Sequence, residues 1–124
     1  MNPVVAHIQW IMLVCGILTC TMVLAALAPR TALRMMFGES LEGPLAGVIV
    51  RNWGALITLT GAMLIYGAFD PPTRPLILVA AGASKLTFSA LVLGPGRSYL
   101  RKAAFTVAID LVMVAVFATY LLSR

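Results

Sequence analysis

The chain has 124 residues, of which 61% are apolar in type and only 10% are charged, and its mean hydropathy is +1.01. A soluble domain is nearer half apolar and a quarter charged, so this composition lacks the polar surface needed to coat a water-borne globule. It excludes a free soluble enzyme, a disordered tail and a disulfide scaffold, and it makes the lipid bilayer the first partner. The net charge of +5, from nine Lys and Arg against four Asp and Glu, forms no block of like charges and no basic-aromatic alternation, which argues against nucleic acid as a partner.

Four apolar runs predict an all-α, integral membrane, antiparallel four-helix bundle, with residues 1–124 forming one transmembrane domain and no soluble domain. The first span is residues 4–28. The triplet Ala26-Leu27-Ala28 imitates a signal-peptidase site, but no Lys or Arg precedes the run and Pro29 would follow the cut, so a retained helix is expected. The second span, 45–69, starts after Gly43-Pro44, where Pro suits the first helical turn, and Asp70-Pro71-Pro72-Thr73-Arg74-Pro75 stops it. The third, 76–93, closes at Gly94-Pro95-Gly96, and the fourth is 103–122.

Short loops rich in Lys and Arg stay on the cytoplasmic side. Connection 29–44 carries Arg30 and Arg34, and connection 94–102 carries Arg97, Arg101 and Lys102; both are therefore expected to be cytoplasmic. Arg74 and Arg124 fall on the other side. This places both termini on the outer, periplasmic face of a bacterial inner membrane. Trp10, Tyr66, Phe69 and Tyr120 are expected at the outer interface, and Trp53 and Tyr99 at the inner one. Within the first connection, Thr31 can cap a short amphipathic helix whose Leu33, Met36 and Phe37 share a face and which Gly38 ends. It is expected to rest on the inner leaflet.

The second span repeats a small residue every seven positions, Gly47, Gly54, Gly61 and Ala68, with Thr58 and Arg51 on the same face. Small residues let helices approach closely in lipid, so this face is expected to pack, either inside its own bundle or against another chain. Arg51, Lys85 and Asp110 each lie about 10 to 12 Å from the cytoplasmic edge by the helical rise. Charges at that depth are costly and normally face inward and pair. Helical spacing adds Ser89 to the face of Lys85 and Thr106 to that of Asp110, and Asn52 adjoins Arg51. The expected polar cluster is thus Arg51, Asn52, Lys85, Ser89, Thr106 and Asp110. Two cations against one carboxylate leave one positive charge to be met by Glu39 or Glu42, by an anionic ligand or headgroup, or by a shifted lysine pKa.

His7 stands without other metal-ligand residues, and Cys15 and Cys20 point in different directions on one helix, so neither a metal site nor a disulfide is expected. No Ser-His-Asp set, nucleotide-binding loop or pair of catalytic carboxylates occurs, so no catalytic residue and no cofactor is expected.

Val50-Arg51-Asn52-Trp53-Gly54, followed by Gly61 and Tyr66-Gly67, resembles small four-helix membrane proteins of the DoxX-like type and is similar to the sterol-biosynthesis scaffold family. The resemblance implies a non-enzymatic helper, with Arg51 and Gly54 as the residues carried over. The lysine in the third span and the lack of an acidic residue there depart from that pattern. Two readings follow. One is an accessory or scaffold protein that forms a homo-oligomer or joins a larger membrane complex through the glycine face. The other binds or transports an anionic amphiphile, quinone, lipid or small ion at the charged cluster.

Overall fold

Where no water reaches the backbone, every peptide group must bond within the chain, and helix is the local solution. The computed structural model describes residues 3–39, 42–95 and 97–123; Gly96 of the third connection and the terminal Arg124 lie outside the described residues. The described chain is helical, without strands: α1 (Pro3–Ala6), α2 (Ile8–Cys20), α3 (Val23–Leu27), α4 (Pro29–Phe37), α5 (Pro44–Ala68), α6 (Arg74–Leu93) and α7 (Leu100–Ser123). Four stretches are long and apolar enough to cross a membrane: Ile8–Leu27, Pro44–Ala68, Pro71–Leu93 and Arg97–Ser123. They fall on the four expected runs, with boundaries shifted by a few residues.

No more than 33% of any of these spans is buried inside the chain. Large apolar side chains such as Val14, Ile17, Leu56, Leu59, Val79, Leu86, Phe105 and Val112 point outward instead. An exterior this apolar is consistent with an integral membrane protein, in which lipid covers those faces.

The first span is not one continuous helix. His7 interrupts it near the start, where its Nδ1 donates to the Pro3 carbonyl at 3.0 Å. A second break falls at Thr21 and Met22, between α2 and α3. There the amides of Thr21, Met22, Leu24 and Ala25 bond to carbonyls three residues back. Thr21 Oγ1 donates to the Leu18 carbonyl that also accepts from the Thr21 amide, and Thr19 Oγ1 donates to the Cys15 carbonyl at 2.7 Å. Such local hydroxyl bonds bend helices.

The four spans pack as antiparallel neighbours. Going up α2 and α3, Met12, Gly16, Cys20 and Ala25 meet Gly67, Gly61 and Ile65, Gly61, and Gly54 of α5 in descending order. A Cβ added at Gly54 would sit 2.6 Å from the Ala26 nitrogen, and one at Gly61 would sit 2.8 Å from the Gly16 oxygen and the Cys20 nitrogen. The small-residue face of α5 therefore closes on the chain's own first span, with Ala68 in the core. Thr58 belongs to this contact, accepting at its carbonyl a weak bond from Cys20 Sγ at 3.7 Å. Gly47 does not belong to it, since nothing lies within 4 Å of its Cβ direction. Both cysteines are free thiols.

One end of the bundle is filled by Ile8, Met12, Leu64, Ala68, Ile77, Leu78, Ala81, Met113 and Phe117, drawn from all four spans. At the other end, α4 does not rest free on a lipid surface as its amphipathic pattern suggests. Ala32 and Leu33 are buried with Ala25 and Val50, and Phe37 packs towards Val92, Ala103 and Val107. Ala32, Leu33 and Phe37 thus turn the apolar face of α4 onto the bundle, while Met35 stays exposed. Its start also differs from expectation. Pro29 opens it with Ala28 before it and no side-chain cap, while Gly38 ends it at a φ of 80°.

Overpacking a backbone contact costs about 1 to 3 kcal/mol, whereas Gly to Ala in an open helical position gains up to about 1 kcal/mol. Gly61→Ala and Gly54→Ala should therefore lower the thermal midpoint in detergent, and Gly47→Ala should leave it unchanged or raise it, as read by a thiol-reactive or light-scattering melt.

Candidate functional site

Among the described residues, few charged side chains enter the apolar interior, and their partners sort them. Lys85 on α6 donates from Nζ to Asp110 Oδ1 on α7 at 3.2 Å, with side chains only 9% and 15% exposed. The two positions meet because α6 and α7 run antiparallel across a short turn, which sets residue 85 level with residue 110. Ser89, one turn along α6 from Lys85, is also fully buried, and its Oγ has no hydrogen-bond partner. Thr106, one turn before Asp110 on α7, is half-buried and faces the same interior space.

Arg51 does not join them. Its guanidinium donates to the Ala26 carbonyl at 2.9 Å and remains exposed. Asn52 is likewise exposed. The physical reason is the break in the first span. Helix α3 ends at Leu27, and its last carbonyls lack intrahelical donors, so an arginine on the adjacent helix face is the nearest cation to satisfy them. Equal depth brought Arg51 level with Lys85, but the carbonyl end of α3 captured it. The surplus positive charge expected of the cluster disappears with it, and Glu39 and Glu42 have other partners: Glu42 pairs with Arg30 at 3.2 Å, and Glu39 accepts from the Tyr99 hydroxyl. The remaining pair is electrically neutral.

The same capping recurs. Arg74 donates to the Gly67 and Ala68 carbonyls at 2.9 and 2.7 Å, closing α5, and Arg97 donates to that of Leu93 at 3.3 Å, closing α6.

Lys85 and Asp110 stand in the wall of a cavity of about 340 Å³ between the spans. The rest of the wall is mainly apolar, with Met22 and Ala25 from the first span, Met35 and Met36 from α4, Trp53 and Ile57 from α5, Phe88 from α6, and Ile109 and Met113 from α7, and it also carries the hydroxyls of Thr19, Thr21, Thr60, Ser84 and Thr106. The size falls at the lower end of the range for small-molecule sites, and an apolar lining with a few convergent polar groups is their usual chemistry. The break at Thr21 and Met22 and the residues Ala32, Met35 and Met36 of α4 border this space.

Trp53, expected at the inner membrane interface, also lines this wall. It is half-buried and stacked on Phe88, with ring centroids 6.3 Å apart and planes at 26°. Phe37 leans on Phe88 at 6.3 Å and meets Tyr99 edge-on at 5.8 Å. This aromatic cluster was not singled out from the sequence. The available signal was an aromatic four residues after Ser84 and another within two residues of Arg51, near the depth of the charges. The described His, Cys, Asp and Glu residues form no group that could hold a metal ion.

No family model, curated protein or solved structure matches this chain.

Removing one partner of a buried ion pair typically costs about 3 to 5 kcal/mol, whereas replacing both by apolar residues of similar size is often neutral. Asp110→Leu should accordingly destabilise the protein strongly, and adding Lys85→Met should recover most of the loss. A melt in which the double variant is no better than Asp110→Leu would show that the two groups do not interact.

Proposed function

We propose that this chain is an integral membrane protein that binds one lipophilic molecule with a polar head in the cavity between its helices. The observation carrying this reading is the Lys85–Asp110 pair in the wall of a mainly apolar cavity. The desolvation of an ion pair inside a protein is offset when further hydrogen bonds satisfy its remaining donors and acceptors. Here the pair borders open volume and leaves hydrogen-bonding capacity unused.

In this reading the cationic connections lie on the cytoplasmic side and the termini on the outer side. Both connections gather at one end of the bundle, where Gly38 packs against the Lys102 side chain and Tyr99 bonds Glu39. The cavity then opens nearer the cytoplasmic leaflet, since the core at the opposite end is filled. An accessory role through the glycine face has less to support it, because Gly54 and Gly61 are engaged by the chain's own first span.

Gentle extraction followed by native mass spectrometry should reveal a lipid-sized adduct on the wild-type chain. The Lys85→Met/Asp110→Leu double variant, which keeps the cavity but removes its polar groups, should retain about tenfold less of it. Equal adducts on both proteins would remove the pair from the binding site, and a bare wild-type chain would argue against a resident ligand.

A further inference from the structure

We infer that the occupant is an uncharged single-chain amphiphile with a hydroxyl head, whose chain leaves the cavity past Trp53 and Phe88. This rests on the proposed binding function and specifies its ligand class. Two independent observations carry it, one for the head and one for the chain.

The first is charge balance. With Arg51 held by the Ala26 carbonyl, the cavity wall contains one cation and one anion, 3.2 Å apart. An anionic head drawn to Lys85 would compete with Asp110 and leave a carboxylate unpaired in an apolar interior. A cationic head drawn to Asp110 would do the same to Lys85. Either outcome is penalised by the desolvation of the displaced charge. A neutral head leaves the pair intact. Lys85 has three N–H donors and gives one to Asp110 Oδ1, and Asp110 keeps a second oxygen. A hydroxyl matches both vacancies at once, accepting from the ammonium and donating to the carboxylate.

The second is continuity. Trp53 and Phe88 line the cavity and also a neighbouring groove of about 540 Å³, whose other walls include Leu33, Phe37, Ile49 and Leu91. Their rings, 6.3 Å apart, are shared by the walls of both spaces. The groove is apolar except at its rim, where Glu39 and Tyr99 bond to each other. It therefore offers a flexible alkyl or isoprenoid chain a path without unpaired charges. Ile49 and Leu91 are more than half exposed, at 58% and 56%, so this path opens towards the surrounding lipid.

The chain has two tryptophans, and Trp10→Phe leaves Trp53 as the sole indole reporter. In phosphatidylcholine nanodiscs, three probes of equal chain length, each brominated at the chain end, would be titrated: an alkyl alcohol, a carboxylate and a trimethylammonium. The alcohol should quench Trp53 saturably, with an affinity about tenfold or more above those of the charged probes. Strongest saturable quenching by a charged probe would overturn the neutral-head inference and leave the binding function standing. Absence of saturable quenching by any probe, together with a bare chain in native mass spectrometry, would overturn both. For the chain path, Ile49→Phe with Leu91→Phe should weaken a long alcohol about fivefold while sparing a short one that fits the cavity alone. Equal effects on the long and short alcohols would overturn the path through the groove.

Discussion

The Lys85–Asp110 ion pair is the contact that the interior is organised around. Each charge alone would be expensive in an apolar medium, and each is tolerated because the antiparallel turn between α6 and α7 sets them level. Their mutual satisfaction removes the need for a third charge. It leaves a neutral polar point in the wall of a cavity whose remaining lining is mainly apolar, with hydroxyls at Thr19, Thr21, Thr60, Ser84 and Thr106. A polar point of this kind gives the site orientation without giving it a net charge.

The rest of the bundle obeys the same rule of satisfied polar groups. Three arginines, Arg51, Arg74 and Arg97, bond the carbonyl ends of α3, α5 and α6 respectively, where the helix leaves acceptors without donors and the dipole favours a cation. Thr19 and Thr21 turn their hydroxyls onto carbonyls of their own helix and help bend the first span. The residues of that bend, α4 and the ion pair all border the same cavity. Close packing of Gly54 and Gly61 against the first span fixes α2 and α3 beside α5, so the cavity lies within a frame held by backbone contacts.

Much of this was legible in the sequence. Hydropathy located the four long helices to within a few residues, because span length is dictated by the apolar medium. Helical spacing and depth identified Lys85 with Asp110 and placed Ser89 and Thr106 beside them. Depth alone misassigned Arg51, since it says nothing about which way a side chain turns and the acceptor that holds it exists only because α3 ends early. The break at Thr21 and Met22 carried a weak signal, two threonines flanking a cysteine within an apolar run. The amphipathic face of α4 was visible, but a lipid surface and a helix bundle present it with the same apolar environment. Trp53 fitted the interfacial pattern by position and entered the cavity wall through its stacking on Phe88.

The central claim is that Lys85 and Asp110 are directly paired inside the helices and form the polar point of the site. The chain contains two lysines and two aspartates, so labelling the lysine Nζ and the aspartate carboxyl carbon gives a sparse spectrum. Magic-angle-spinning NMR in phospholipid bilayers should find one short nitrogen-to-carbon separation of about 4 Å, absent in Asp110→Leu, with both resonances moving when a long-chain alcohol is added. A separation too long to detect in the wild-type chain, or resonances indifferent to the alcohol, would contradict the account.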